Sequence, residues 1–202
     1  MRPSPFMLNQ FQQLTTADKV LLLQLARSSI GELWQPELQD AILQIRSRLL
    51  SLDQSFACFV TIHLDGKLRG CIGTLQATRP LLDAICYYAK AAACQDPRFP
   101  PLRLAEWSQI SLSITLLGQL HKISADNKKQ LIDQLVPREY GLYIKDESHS
   151  ATFLPMVWQQ LSEPAEFVDA LFEKGGWLTH SWPEHLEAWI YSGEEFSENR
   201  MS

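Results

Sequence analysis

Apolar residues first recur along the chain at helical spacing. Val20, Leu21, Leu23, Leu25 and Ala26 form a wide apolar face. Thr15 or Thr16 offers a capping hydroxyl and Gly31 a stop, which predicts a helix to about Ser29. A second helix is expected from Pro36, a good first-turn residue, through Leu38, Ile42, Ile45 and Leu49. The period then shortens to two. Phe59-Val60-Thr61-Ile62-His63-Leu64 and the run from Lys67 to Leu75 flank Asp65-Gly66. An Asp-Gly pair between strand-like runs signals a tight hairpin, because both central residues of such a turn need positive φ. With unbroken pairing, Leu64 lies opposite Lys67, Ile62 opposite Arg69 and Val60 opposite Cys71, and residues opposite each other share a face.

Thr78 and Pro80 open a third, alanine-rich helix from Leu81 to about Cys94, followed by the proline-broken loop Asp96-Pro97-Arg98-Phe99-Pro100-Pro101. From Ile110 to Leu117 serine or threonine alternates with Leu and Ile, the pattern of a strand with one buried face, and Gly118 and His121 mark its end or a bulge. A short helix is expected over Lys128 to Val136, and a second hairpin over Tyr140 to Lys145 and Ala151 to Leu154. Pro164 to Lys174 reads as a helix stopped by Gly175-Gly176, and Ala188 to Tyr191 as the last strand. The segment from Ser192 onward is expected to fray. Helices and hairpins interleave without a βαβ rhythm, which points to an α+β fold with a largely antiparallel sheet and flanking helices.

Composition narrows the function classes. Of 202 residues, 46% are hydrophobic and 20% charged, the balance of a globular protein, and the net charge of -5 argues against nucleic acid as a partner. The N-terminus, Met-Arg-Pro-Ser-Pro-Phe, lacks the apolar run of a signal peptide, and no stretch reaches membrane-spanning length, so a cytoplasmic location is expected. Cys58, Cys71, Cys86 and Cys94 show no CxxC pair and no zinc-like spacing with histidine, so no metal site is expected. His63, His121, His149, His180 and His185 are scattered, and no nucleophile elbow or phosphate-binding glycine loop occurs. Trp158, Trp177, Trp182 and Trp189 crowd the C-terminal third, where packing is the expected use of such large aromatics.

Arg69-Gly70-Cys71-Ile72-Gly73 is the segment with chemical potential. Two glycines in a strand cost stability and are tolerated at a bulge or where a ligand or another backbone approaches closely. In a regular strand Arg69 shares a face with Cys71, and a nearby cation favours the nucleophilic thiolate. Cys71 is therefore the candidate catalytic residue, although cysteine also fills cores as a small hydrophobe. On the same regular pairing Cys58 falls diagonal to Cys71, about 7–8 Å away, too far for a disulfide. Arg98 is either an anion ligand or the partner of Asp96 in a loop ion pair.

The residues Phe59-Val60-Thr61 and Gly66-Lys67-Leu68-Arg69-Gly70-Cys71-Ile72-Gly73-Thr74-Leu75 resemble the signature of the AMMECR domain family. The resemblance continues through Ala89 to Ala93, Asp96-Pro97-Arg98-Phe99-Pro100-Pro101-Leu102, Gly141-Leu142, Thr152 to Trp158 and Phe167 to Gly176, and covers about Thr15 to Phe196. Met156 stands where the family commonly has glutamine. The resemblance implies one domain over residues 15–196, built of two closely packed lobes with the signature near their cleft, between an extension at 1–14 and a tail at 197–202. It assigns neither a reaction nor a cofactor. It does imply partners, a Memo-like protein and a radical SAM protein with which bacterial and archaeal members co-occur. Arg69, Gly70, Gly73, Thr74, Asp96 and Arg98 are the candidate ligand-binding residues around Cys71.

Overall fold

The computed structural model describes residues 14–52 and 54–198; the expected extension before residue 14 and the tail after residue 198 lie outside the described residues. Its strands are β1 (Ala57–Leu64), β2 (Lys67–Gly73), β3 (Ile110–Leu117), β4 (His121–Ile123), β5 (Gly141–Lys145), β6 (Ser150–Phe153), β7 (Glu187–Tyr191) and β8 (Gly193–Ser197). Its helices are α1 (Thr16–Gly31), α2 (Leu38–Arg48), α3 (Leu81–Cys94), α4 (Leu104–Trp107), α5 (Lys128–Ile132) and α6 (Pro164–Gly175). They divide into two units, one of residues 14–117 with 194–198 and one of residues 118–193.

The first unit packs α1 and α3 on one face of a four-stranded sheet ordered β2-β1-β3-β8. Helix α1 starts where expected. Thr15 Oγ1 accepts from the Asp18 amide at 3.2 Å, while the Thr15 amide donates to the Asp18 carboxylate at 2.9 Å. This reciprocal cap satisfies two donors that the first turn leaves open. Val20 leaves the expected apolar face and is 47% exposed, whereas Leu22, Leu25, Ala26 and Ile30 are sealed. They meet Val60 and Ile62 of β1, Ile114 and Leu116 of β3, and Leu82, Ile85 and Ala89 of α3. Full burial of each large aliphatic side chain contributes about 1.5–3 kcal/mol. The opposite face of β3 is not simply solvated, since Ser113 and Thr115 are buried too.

The second unit holds a sheet ordered β4-β7-β5-β6, with β5 and β6 forming the expected second hairpin. Leu142, Ile144, Ala188 and Ile190 pack against Leu131 of α5 and Phe167, Val168, Leu171 and Phe172 of α6. Trp158 stacks on Phe167 with ring centroids 3.8 Å apart, and its indole N–H donates to the Tyr140 carbonyl at 2.7 Å. The tryptophan thus buries its area without leaving its donor unpaired. Gly176, with φ of 85°, ends α6 in the left-handed conformation that glycine adopts at no steric cost.

Three elements depart from expectation. Residues 193–197 are not frayed but form β8, whose neighbour Glu198 donates its amide to the Leu112 carbonyl and accepts from the Leu112 amide, both at 2.9 Å. Sheet pairing supplied by β3 overrides the polar composition of that segment. His121 opens the short strand β4 rather than ending β3. Residues 104–107 form the helical turn α4, too short to show a periodicity.

Candidate functional site

The signature segment is β2, an edge strand, and its geometry starts from the turn. Asp65 (φ 51°) and Gly66 (φ 75°) take the positive values the Asp-Gly pair demands, and Leu64 pairs with Lys67 as expected. Unbroken pairing then fails. His63 pairs with Leu68 but Ile62 pairs with Gly70, so Arg69 is an extra residue in a β-bulge. From there every partner shifts by one, and Thr61, not Val60, lies opposite Cys71.

The shift corrects two expectations. Val60 and Ile62 are wholly buried against the helices, and the bulge turns Gly70 and Ile72 to that side. Cys71 goes to the other face with Thr61. Cys58 keeps its place in the core with Val60, so the two cysteines lie on opposite faces rather than diagonally on one. All four cysteines are free. The bulge also removes Arg69 from the place opposite Ile62 that regular pairing would give it. The physical reason is burial: regular pairing would drive a guanidinium into the core beside Ile62.

Backbone crowds the glycine positions. A Cβ at Gly70 would run into the Ala92 carbonyl oxygen of α3, and one at Gly73 into the Cys58 carbonyl and Phe59 of β1. Thr74 caps the strand, its amide donating to the Cys58 carbonyl at 3.0 Å and its hydroxyl accepting from the Gln76 amide at 3.1 Å.

The loop after α3 closes on β2 through two carboxylate–arginine pairs. Asp96 accepts from the Cys71 amide at 2.8 Å, from the Arg98 amide at 3.1 Å, and from Arg98 Nε and Nη2 at 2.9 and 2.7 Å. Its carboxylate is 2% exposed, while Arg98 is half-exposed and also reaches the Cys71 carbonyl at 3.5 Å. The Arg98 bonds, aided by the Cys71 amide and opposed by burial, hold the Asp96 carboxyl far below the usual carboxylate range. The ion pair with Asp96, one of the two roles expected of Arg98, is therefore present.

Arg69 forms the second pair. Its Nε donates to Glu106 Oε1 at 3.0 Å and its Nη1 to the Pro100 carbonyl at 2.8 Å, with Nη2 near the Pro101 carbonyl at 3.3 Å. Glu106, on α4, also accepts from the Arg103 amide at 2.9 Å. Bonds from Arg69, again against burial, bring its pKa down from 4.5 to about 2. Sequence reasoning missed Glu106; the signal was an acid three residues after Arg103, at the third position of a helical turn.

Arg69, Gly70, Cys71, Gly73, Thr74, Asp96 and Arg98 are thus brought together in the first unit. The Cys71 thiol is half-buried and accepts from Thr61 Oγ1 at 3.3 Å. Each arginine is held in an ion pair, Arg98 with Asp96 and Arg69 with Glu106, the latter carboxylate shared with Arg103 Nε at 3.2 Å. Burial pushes the Cys58 thiol up to about 12.

An α+β protein of two antiparallel four-stranded sheets, with a glycine-bearing hairpin strand braced by a proline-rich loop, is the class these observations define. The chain belongs to the AMMECR1 family, which it matches over residues 23–196. A protein of Methanosarcina barkeri is 35% identical over 141 residues, 69% of either chain. One of Nanoarchaeum equitans is 30% identical over 73% of this chain and 84% of its own length. In fold, the chain resembles the crystal structure of an uncharacterised protein from Pyrococcus horikoshii, with a TM-score of 0.78 and 24% identity over 92% of this chain and 93% of that one. Among the described residues no helix is long and apolar enough to cross a membrane.

Proposed function

We propose that this chain is a non-catalytic binding component that works in the cytoplasm with a Memo-like protein and a radical SAM protein. The observation that carries the reading is the fate of the two arginines. Activation of Cys71 needs a cation or base free to act on the thiol, and the guanidiniums of Arg69 and Arg98 are both engaged elsewhere, in ion pairs with Glu106 and Asp96. The signature segment then serves as a rigid platform. Co-purification of the folded chain with a Memo-like and a radical SAM protein from the same organism tests this. A stable complex with either is expected, and its absence with both at micromolar concentrations overturns the reading.

A second reading has one observation in its favour. The Cys71 sulfur is half-buried, not sealed, and accepts a hydrogen bond from Thr61. In that reading Cys71 is the nucleophile or redox thiol of an enzyme acting on a small anionic substrate, held by Arg69, Gly70, Gly73, Thr74, Asp96 and Arg98. Alkylation kinetics at neutral pH separate the two. A Cys71 no faster than a thiol of the denatured chain fits the binding component, and one accelerated well beyond it fits the enzyme.

A further inference from the structure

We infer that the Asp96–Arg98 pair is an edge guard: it occupies the outer backbone edge of β2 and keeps that edge from pairing with the same edge of a second copy of this chain. The inference does not depend on the function proposed above.

The argument starts from topology. β2 is the outermost strand of its sheet, so one side of its backbone has no neighbouring strand. A row of such N–H and C=O groups is a template for strand addition, and proteins blunt it with charge, proline, bulges or a covering loop. Any edge strand matches its own copy across a two-fold axis, because antiparallel pairing is symmetric in the backbone. The copy is also the one partner always present.

At Cys71 both backbone groups of this edge are taken by side chains. The amide donates to Asp96 Oδ2 at 2.8 Å, where a neighbouring strand would offer a carbonyl. The carbonyl faces Arg98 Nη2 at 3.5 Å, where a neighbouring strand would offer an amide. A carboxylate and a guanidinium thus reproduce one rung of a ladder without supplying a strand.

The segment that carries them cannot continue the ladder. Pro97, Pro100 and Pro101 lack an N–H, so the loop presents no run of donors to a further chain. The guard is also held in place. Arg98 binds Asp96 through its own amide and two guanidinium nitrogens, and Arg69 ties the Pro100 carbonyl to β2. The bulge at Arg69 and the exposed Lys67 blunt the same edge nearer the turn.

Two arms test the guard. In the first, Asp96→Ala is compared with the full-length wild type by light scattering across a concentration series, with amide exchange followed by NMR. The variant is expected to self-associate about tenfold or more tightly than the wild type, with the Cys71 amide protected in the associated form and open in the monomer. A folded variant that associates no more than the wild type, or that associates while leaving the Cys71 amide unprotected, overturns the guard. The second arm needs only the wild type and decides the matter if the variant does not fold. The Cys71 amide is expected to exchange at least about tenfold more slowly than an unpaired exposed amide; exchange at the unprotected rate overturns the inference.

Discussion

The Cys71 amide donates to the Asp96 carboxylate at 2.8 Å, joining β2 to a loop 25 residues further along the chain. That bond makes Asp96 a fold determinant. Asp96→Ala leaves a backbone donor unpaired and strips Arg98 of its partner, and with Arg98 half in solvent the loss is expected to be about 2–3 kcal/mol in urea unfolding. Asp96→Asn keeps an acceptor for the Cys71 amide and is expected to lose less.

Gly70 and Gly66 separate two uses of glycine. Gly66 has open space about it but a φ of 75°, so Gly66→Ala is expected to cost about 1–2 kcal/mol from backbone strain. Gly70→Ala drives a methyl into the Ala92 carbonyl of α3, and the cost of overpacking, about 1–3 kcal/mol or more, falls on the helix–sheet contact. Thermal denaturation of the two variants is expected to rank Gly70→Ala as the worse.

Glu106 gives the fold an acid-sensitive brace. Its pKa is depressed from 4.5 to about 2, so the Arg69 pair contributes its full stability above the ordinary value and loses it as pH falls through the folded one. Stability measured in urea is expected to be level in this contribution above about pH 5 and to decline between about pH 4.5 and 2. Glu106→Gln is expected to flatten that decline, and a variant with the wild-type slope would remove Glu106 from the account.

The cysteines are ordered by burial. Cys94 is exposed, Cys71 half-buried, and Cys58 sealed with its thiol pushed up to about 12. Mass spectrometry of native protein treated with iodoacetamide is expected to find Cys94 modified readily and Cys58 only on unfolding. Mild oxidation is expected to leave Cys58 and Cys71 unlinked, because they lie on opposite faces of the sheet.

Much of this protein is legible along the chain because its signals are local. The Thr15–Asp18 cap, the Asp65-Gly66 turn, the alanine-rich α3 and the Gly176 stop each depend on residues within a few positions of one another. The signature segment identified the family in the same way, and placed Cys71, Asp96 and Arg98 among the residues to watch.

The register beyond the turn was not local. Period-two parity holds only while no residue is inserted, and the bulge at Arg69 reverses it for everything that follows. The chain did carry a warning, since regular pairing put the charge of Arg69 on the face of Val60 and Ile62. What resolves that conflict is α3, whose Ala92 carbonyl admits only glycine opposite Ile62, together with Glu106 and the prolyl carbonyls that receive the guanidinium. Those partners come from residues 92–106, brought to β2 by packing. The sequence alone determined which residues form the hairpin; the tertiary structure decided which way Cys71 faces and that both neighbouring arginines are held in ion pairs, because burial and charge pairing act between segments that only folding brings together.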